Sequence, residues 1–317
     1  MGTVRAVGDR DERPLTGPAQ RGSRHARLLA LAEVLSASLN GPSSQRLAEL
    51  VETGALDGGA MPADDVAWLE GGLARVTDQR VRFWEMELDR LARQRVWMLD
   101  TADEDYPANL RMIHNRPPFL MGRGALVPDD ERSVAVVGTR RPSDEGRAAA
   151  YELARQLAER RVTVVSGLAE GIDTAAHSGA LAAGGRTIAV FGTGIGVVYP
   201  ARNRALADAI ARSGACVSQF WPSMHGARWT FPVRNLVTSG LSLGTVVVEA
   251  GETSGARLQA EAALRHGKRV FLLEPLVRAQ QWAREIAARP EVLAVDSVDQ
   301  IVPAIEVDLM TDAAFLV

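Results

Sequence analysis

Ser133-Val134-Ala135-Val136-Val137-Gly138-Thr139-Arg140-Arg141-Pro142-Ser143 is the stretch from which the fold can be read. Its apolar run has the length of a strand and does not alternate with polar residues, so both of its faces must be covered. It stops at a glycine, passes through a turn and enters a helical pattern over 143–160. The same rhythm recurs downstream. Strands are expected at 133–138, 162–166, 186–191, 215–219, 244–249 and 269–273, and helices at 143–160, 171–183, 202–213, 233–242 and 254–267. Alternation of this kind calls for parallel strands joined by right-handed crossovers. The fold class is therefore α/β, an extended Rossmann-like, doubly wound parallel sheet with a small N-terminal helical domain.

Working outward, residues 1–25 mix Arg, Asp, Gly and Pro without apolar periodicity and read as a disordered leader. From Ala26, Leu28, Leu29, Leu31, Val34 and Leu35 recur at helical spacing, with further helices expected at 44–53, 63–74 and 77–95. Residues 26–95 thus read as a SAM-like helical domain. Val96-Trp97-Met98-Leu99 is a short strand within a linker, 96–130, that packs on the main domain. The Rossmann-like domain occupies 131–305, with a final helix-and-strand segment over 278–300 and an apolar tail over 306–317.

The 317 residues can bury a core without covalent staples. Cys216, the one cysteine, forms neither an intramolecular disulfide nor a zinc cluster and reads as a small buried apolar residue. No run of 18 apolar residues and no apolar export segment occurs, so the expected location is the cytoplasm, away from the membrane. A net charge of -3 confines any nucleic-acid contact to a local patch. Lys268 is the only lysine, so the positive charge is almost all arginine.

Ligands of an open parallel sheet bind at the carboxyl ends of the strands. Those ends carry Gly138-Thr139-Arg140-Arg141, Ser166-Gly167-Leu168-Ala169-Glu170-Gly171 and Gly192-Thr193-Gly194-Ile195-Gly196, three glycine-bearing turns suited to an anion-binding floor. Glu249 precedes Thr253-Ser254-Gly255, where Ser254 would cap a helix; Glu249 reads as a holder of a neighbouring arginine. His177 reads as a local hydrogen-bonding residue. A dinucleotide site is excluded by the missing G-x-G-x-x-G and by Val165-Ser166 where an acidic residue should end the second strand, and no Walker lysine is present. No cofactor, metal site or catalytic set is expected. His225 to Asn235 interleaves Arg228, Trp229, Phe231 and Arg234, a composition that stacks unpaired bases and neutralises phosphates, although rings buried in a loop and solvated arginines would look the same.

Taken together, these segments resemble the DprA/Smf family of bacterial DNA-processing proteins. The resemblance is carried by Tyr106-Pro107 with Pro117-Pro118, Val136 to Arg140, Ser166 to His177, Gly185 to Val190, Tyr199-Pro200, Phe231 to Asn235, Gly240-Leu241-Ser242, Val248-Glu249-Ala250 and Ser254-Gly255, in that order over roughly residues 97–275. It implies a non-catalytic, dimeric binder of single-stranded DNA that helps load a RecA-type recombinase during transformation. Gly138, Thr139 and Arg140 take the place of the family's first phosphate loop, Ser166 and Gly167 its second, and Phe231, Arg234 and Asn235 its Phe-Pro-x-Arg-Asn-Arg segment. Arg228, Ser254 and Gly255 complete the expected nucleic-acid contacts. Leu236 stands where that segment ends in arginine, and Glu274-Pro275 where a Pro-Gly turn is usual. These two departures motivate a second reading, a sensor of a nucleotide-derived ligand or a nucleoside-phosphate hydrolase.

Overall fold

The computed structural model describes residues 18–35, 42–57, 59 and 63–315. Four helices come first: α1 (Pro18–Leu35), α2 (Pro42–Glu52), α3 (Ala63–Leu73) and α4 (Asp78–Arg93). The chain then runs β1 (Val96–Asp100), α5 (Ala108–Arg111), β2 (Phe119–Gly124), β3 (Ser133–Val137), α6 (Asp144–Glu159), β4 (Thr163–Ser166) and α7 (Ile172–Ala182). Next come β5 (Thr187–Val190), α8 (Arg204–Ser213), β6 (Ala215–Ser218), α9 (Thr230–Leu241), β7 (Gly244–Val247), α10 (Gly255–Arg265) and β8 (Arg269–Leu273). The last elements are α11 (Glu274–Ala279), α12 (Gln281–Ile286), β9 (Val292–Val295) and α13 (Val298–Phe315).

The nine strands among the described residues form one sheet in the order β1-β2-β6-β5-β4-β3-β7-β8-β9. From β6 to β9 every neighbouring pair is parallel, with β3 between β4 and β7 at the point where the winding reverses. The doubly wound sheet read from the sequence is thus present. Each of its residues from β3 to β7 is buried, as continuous apolar strands require.

Three boundaries differ from expectation. Residues 96–130 are not a linker laid on the domain: β1 and β2 pair antiparallel with each other, and β2 pairs antiparallel with β6, so the segment extends the same sheet. The leader is shorter than 1–25, because α1 begins at Pro18. Half-buried Arg24 donates to Asp100 (2.9 Å) and Asp103 (2.6 Å), and His25 Nε2 meets Asp103 at 2.9 Å, so polar side chains anchor α1 beside β1. Residues 1–17 lie outside the described residues. At the other end α13 runs to Phe315, so the tail set apart from 306 is helical to that point.

One face of the sheet carries α1 to α4 over Val96, Phe119, Met121 and Phe191, and α6, α7 and α13 over Val134, Val136, Val164 and Phe271. The other carries α9 over Val165, Val190 and Val217, and α10 and α12 over Val247, Val270 and Leu272. Lys268 fastens the α9 terminus: its ammonium donates to the carbonyls of Ser239 (3.0 Å), Gly240 (2.7 Å) and Ser242 (2.6 Å), groups a helix end leaves without partners. Cys216 is fully buried as expected, and burial pushes its thiol up to about 12. No helix among the described residues is long and apolar enough to cross a membrane.

Candidate functional site

At the carboxyl edge of β3, β4 and β7 the turns that follow these strands meet the first turns of α9 and α10. They enclose a cavity of about 410 Å3 lined by Gly138, Thr139, Arg140, Gly167, Phe231, Arg234, Asn235, Ser254 and Gly255. Those are nine of the eleven residues singled out from the sequence. Arg228 lines an adjoining cavity of about 440 Å3 with Tyr199, Gly226 and Ala227, and the two cavities share Arg140 and Phe231. Ser166 is the exception. It is fully buried and its hydroxyl donates to the carbonyl of Val136 at 2.7 Å, so it ties β4 to β3 beneath the cavity.

The close approach of the first two turns depends on glycine. Gly171 has φ +81°, and a Cβ there would stand 2.4 Å from the carbonyl oxygen of Thr139. Gly167 is needed for another reason: a Cβ would lie 1.9 Å from Nη1 of Arg234, whose guanidinium is laid flat against this turn. Arg234 is only 8% exposed. Its Nη1 donates to the carbonyls of Gly167 (2.5 Å) and Val190 (2.8 Å), and its Nε to Oδ1 of Asn235 (3.1 Å). Burial lowers its pKa while Asp173 opposes that, and burial raises the Asp173 pKa while Arg234 opposes it. Asp173 accepts from the amides of Gly167 and Ala169, both at 3.2 Å. Arg234 is therefore a brace under the floor, holding β5, the β4 turn and α9 in register.

The exposed guanidiniums sit above it. Arg140 stacks over the Phe231 ring, 5.2 Å from its centroid, and the Tyr199 ring lies 5.8 Å from that of Phe231. Tyr199 is 53% exposed. Two guanidiniums, Arg140 and Arg228, and two rings, Phe231 and Tyr199, thus line one cavity at the edge. Tyr199 and the lining residues Arg141, Thr238 and Gln259 were not singled out as contacts; a lone tyrosine in Tyr-Pro and a glutamine within an alanine-rich helix give no chemical signal.

Two expectations about anion binding are corrected here. The third glycine turn does not join the floor: the amides of Gly194 and Gly196 donate to the carbonyls of Met224 (2.8 Å) and Pro222 (2.9 Å), and its packing holds Phe231 against Gly192. The N-terminus of α6 is occupied by the chain itself. Glu249 accepts from the amide of Ser143 (3.1 Å) and its hydroxyl (2.7 Å), while Ser143 Oγ accepts from the Gly146 amide (2.9 Å). Glu249 thus caps a helix, and no arginine pairs with it among the described residues. The helix terminus that lines the cavity is that of α10, capped by Ser254 through the Ala256 amide at 3.2 Å, as expected. Glu274, the acidic departure after β8, pairs with Arg278 at 3.1 Å and does not line the cavity.

His177 is fully buried in the core behind Arg234, and burial, reinforced by Arg234, lowers its pKa to about 3. Its Nδ1 meets Thr187 Oγ1 at 2.7 Å, and because that hydroxyl donates to Val164 O, Nδ1 carries the proton. A second cleft, about 490 Å3, lies at the opposite edge over Trp97, Leu99, Ile188 and Leu241, with Glu104, Asp105 and Glu131 among its lining residues. Its charge is wrong for a polyanion.

The family described as DNA recombination-mediator protein A has a model that matches residues 97–302 of this chain. DNA processing protein DprA of Streptococcus pneumoniae is 33% identical over 243 residues, 76% of this chain and 86% of that protein. DprA of Bacillus subtilis is 35% identical over 202 residues, 60% of this chain and 68% of that protein. Among solved structures, DprA from S. pneumoniae aligns at TM-score 0.69 and 27% identity, covering 89% of this chain and 97% of its own. DprA from Helicobacter pylori, studied for its unique single-stranded DNA binding mode, aligns at TM-score 0.59 and 24% identity over 67% of this chain and 96% of its own, which shows a shared fold.

Proposed function

The chain belongs to the DNA recombination-mediator protein A family, the DNA-processing proteins, and from that premise we propose that it binds single-stranded DNA along the carboxyl edge of β3, β4 and β7. The observation that carries the reading is the gathering of Arg140, Phe231, Tyr199 and Arg228 around one cavity that adjoins the β3 and β4 turns. The Tyr199 and Phe231 rings take unpaired bases, and the Arg140 and Arg228 guanidiniums beside them take the phosphates. A duplex hides the base faces these rings would stack. DprA of H. pylori, which shares this fold, is itself described as a single-stranded DNA binder.

The expected contacts are Gly138, Thr139, Arg140, Gly167, Arg228, Phe231, Asn235, Ser254 and Gly255, with Ser166 and Arg234 supporting from below. The chain acts as a binder and not as a catalyst: His177, Asp173 and Glu249, the titratable groups nearest the cavity floor, are committed to the framework. The strand held there is passed to a RecA-type recombinase, with the protein working as a homodimer in the cytoplasm. The nucleotide-sensor and nucleoside-phosphate hydrolase reading is disfavoured, because Glu249 fills the helix terminus at which a Rossmann-like fold seats a terminal phosphate.

Fluorescence anisotropy with a labelled oligothymidine tests the proposal. Saturable binding that weakens with salt and resists competition by duplex is the expected result. Binding absent even at low salt, or equal for duplex, removes it. A thermal-shift series with mononucleotides is expected to give no stabilisation.

A further inference from the structure

Gln259, on α10, lines the cavity together with Thr238 and Val137 and is 2% exposed. Both polar atoms of its carboxamide, Oε1 and Nε2, are buried and without a hydrogen-bond partner. Other buried side-chain atoms without partners occur among the described residues, on Arg116, Arg123, His177, Thr245, Trp282 and Glu291, and none of those residues lines this cavity. Leaving a buried amide unpaired opposes folding, and a leucine or methionine would fill the same helical position without that penalty. Asn235, the other amide of the cavity, shows the contrast: its Oδ1 accepts from Arg234 and its Nδ2 donates to Gly255 O at 3.4 Å.

We propose that Gln259 is the specificity-determining residue of the groove, its carboxamide donating to and accepting from the hydrogen-bonding edge of one nucleobase that enters the cavity beside Arg140 and Phe231. A nucleobase edge offers a donor next to an acceptor, which a carboxamide matches and which neither a phosphate nor a sugar hydroxyl offers. The cavity, about 410 Å3, has room for one base, and Ser254 and Gly255 at the α10 terminus line the same cavity for the adjoining phosphate. This inference rests on the single-strand reading and adds to it: the arginines and rings hold any strand, and Gln259 makes the grip depend on a base being present.

The experiment compares the full chain with its Gln259→Met variant, using oligothymidine and an oligomer of equal length made of abasic tetrahydrofuran units. Gln259→Met should raise the melting temperature by about 2–4 °C, since an orphaned amide has gone. It should weaken oligothymidine binding about fivefold to tenfold and leave abasic binding unchanged. Gln259→Leu repeats the measurement with a branched side chain, so a packing fault peculiar to one variant is recognised. Equal losses on both oligomers, an unchanged affinity for oligothymidine, or a lowered melting temperature in both variants would overturn the assignment. If the parent chain binds neither oligomer, the single-strand reading itself has failed, a result distinct from any of these.

Discussion

The floor and the rim of the groove are built from the same short segment and do opposite work. Arg234 and Phe231 are three residues apart in the first turn of α9, yet Arg234 is folded under the β4 turn while Phe231 stands beside the exposed Arg140. The floor is polar material that the core consumes: Arg234, Asp173 and Ser166 bond to backbone groups, and His177 Nδ1 bonds to the Thr187 hydroxyl. The rim is polar material the fold leaves unused. A motif that looks uniformly suited to ligand binding therefore divides into residues whose loss should unfold the protein and residues whose loss should only loosen a ligand.

That division is most exposed to test at Arg234. Arg234→Ala leaves the buried carbonyls of Gly167 and Val190 without their donor and removes the positive charge that favours ionised Asp173, and should lower unfolding free energy by about 3–5 kcal/mol in denaturant titration. A variant that stays stable and loses only DNA affinity would reverse the assignment of floor and rim. Gly167→Ala presses a methyl group into the Arg234 guanidinium and should cost about 1–3 kcal/mol by the same measurement, with binding per folded molecule preserved.

Acid should find the floor as well. The folded pKa of His177 is about 3 against 6.5 for the free side chain, so the unfolded chain takes up the proton first as pH falls. Its contribution is whole above pH 6.5, declines below that value and is exhausted near pH 3. At pH 5 the loss is about 2 kcal/mol. His266, lowered to about 4 mainly by burial, acts in the same direction. Replacing His177 by Gln should flatten the stability profile between pH 5 and 6.5; an unchanged slope would mean that the histidine is not held neutral. The smallest effect belongs to the rim. Arg140→Ala should weaken oligothymidine binding about tenfold and reduce the slope of log affinity against log salt by about one, with stability unchanged. If Arg140→Ala instead unfolds the chain, rim and floor are one unit.

The sheet was legible because its strands are apolar on both faces, a pattern that survives without knowing any partner: the five strands from β3 to β7 fall within two residues of expectation at each end, and β8 matches. β2 was hidden because Phe119-Leu120-Met121-Gly122-Arg123-Gly124 follows two prolines and contains two glycines, signals that ordinarily mark a loop. Gly122 is there because the Trp97 ring of β1 occupies the space a side chain would need, a cross-strand fact no local reading contains. At the site, residue type revealed the polar inventory but not its direction. Glu249 as a cap, Ser166 as a tie and Gln259 as an unpaired amide each depend on what stands opposite, which only the closed sheet supplies.

The isolation of Lys268 has a practical corollary. An amine-directed dye or cross-linker meets one side-chain target, and that target is already enclosed by carbonyls, while thiol reagents meet Cys216 inside the core. A cysteine introduced beside the groove would consequently be the readily labelled position of the molecule, so energy transfer between one such dye and a labelled oligonucleotide could report the polarity in which a strand lies across the sheet edge.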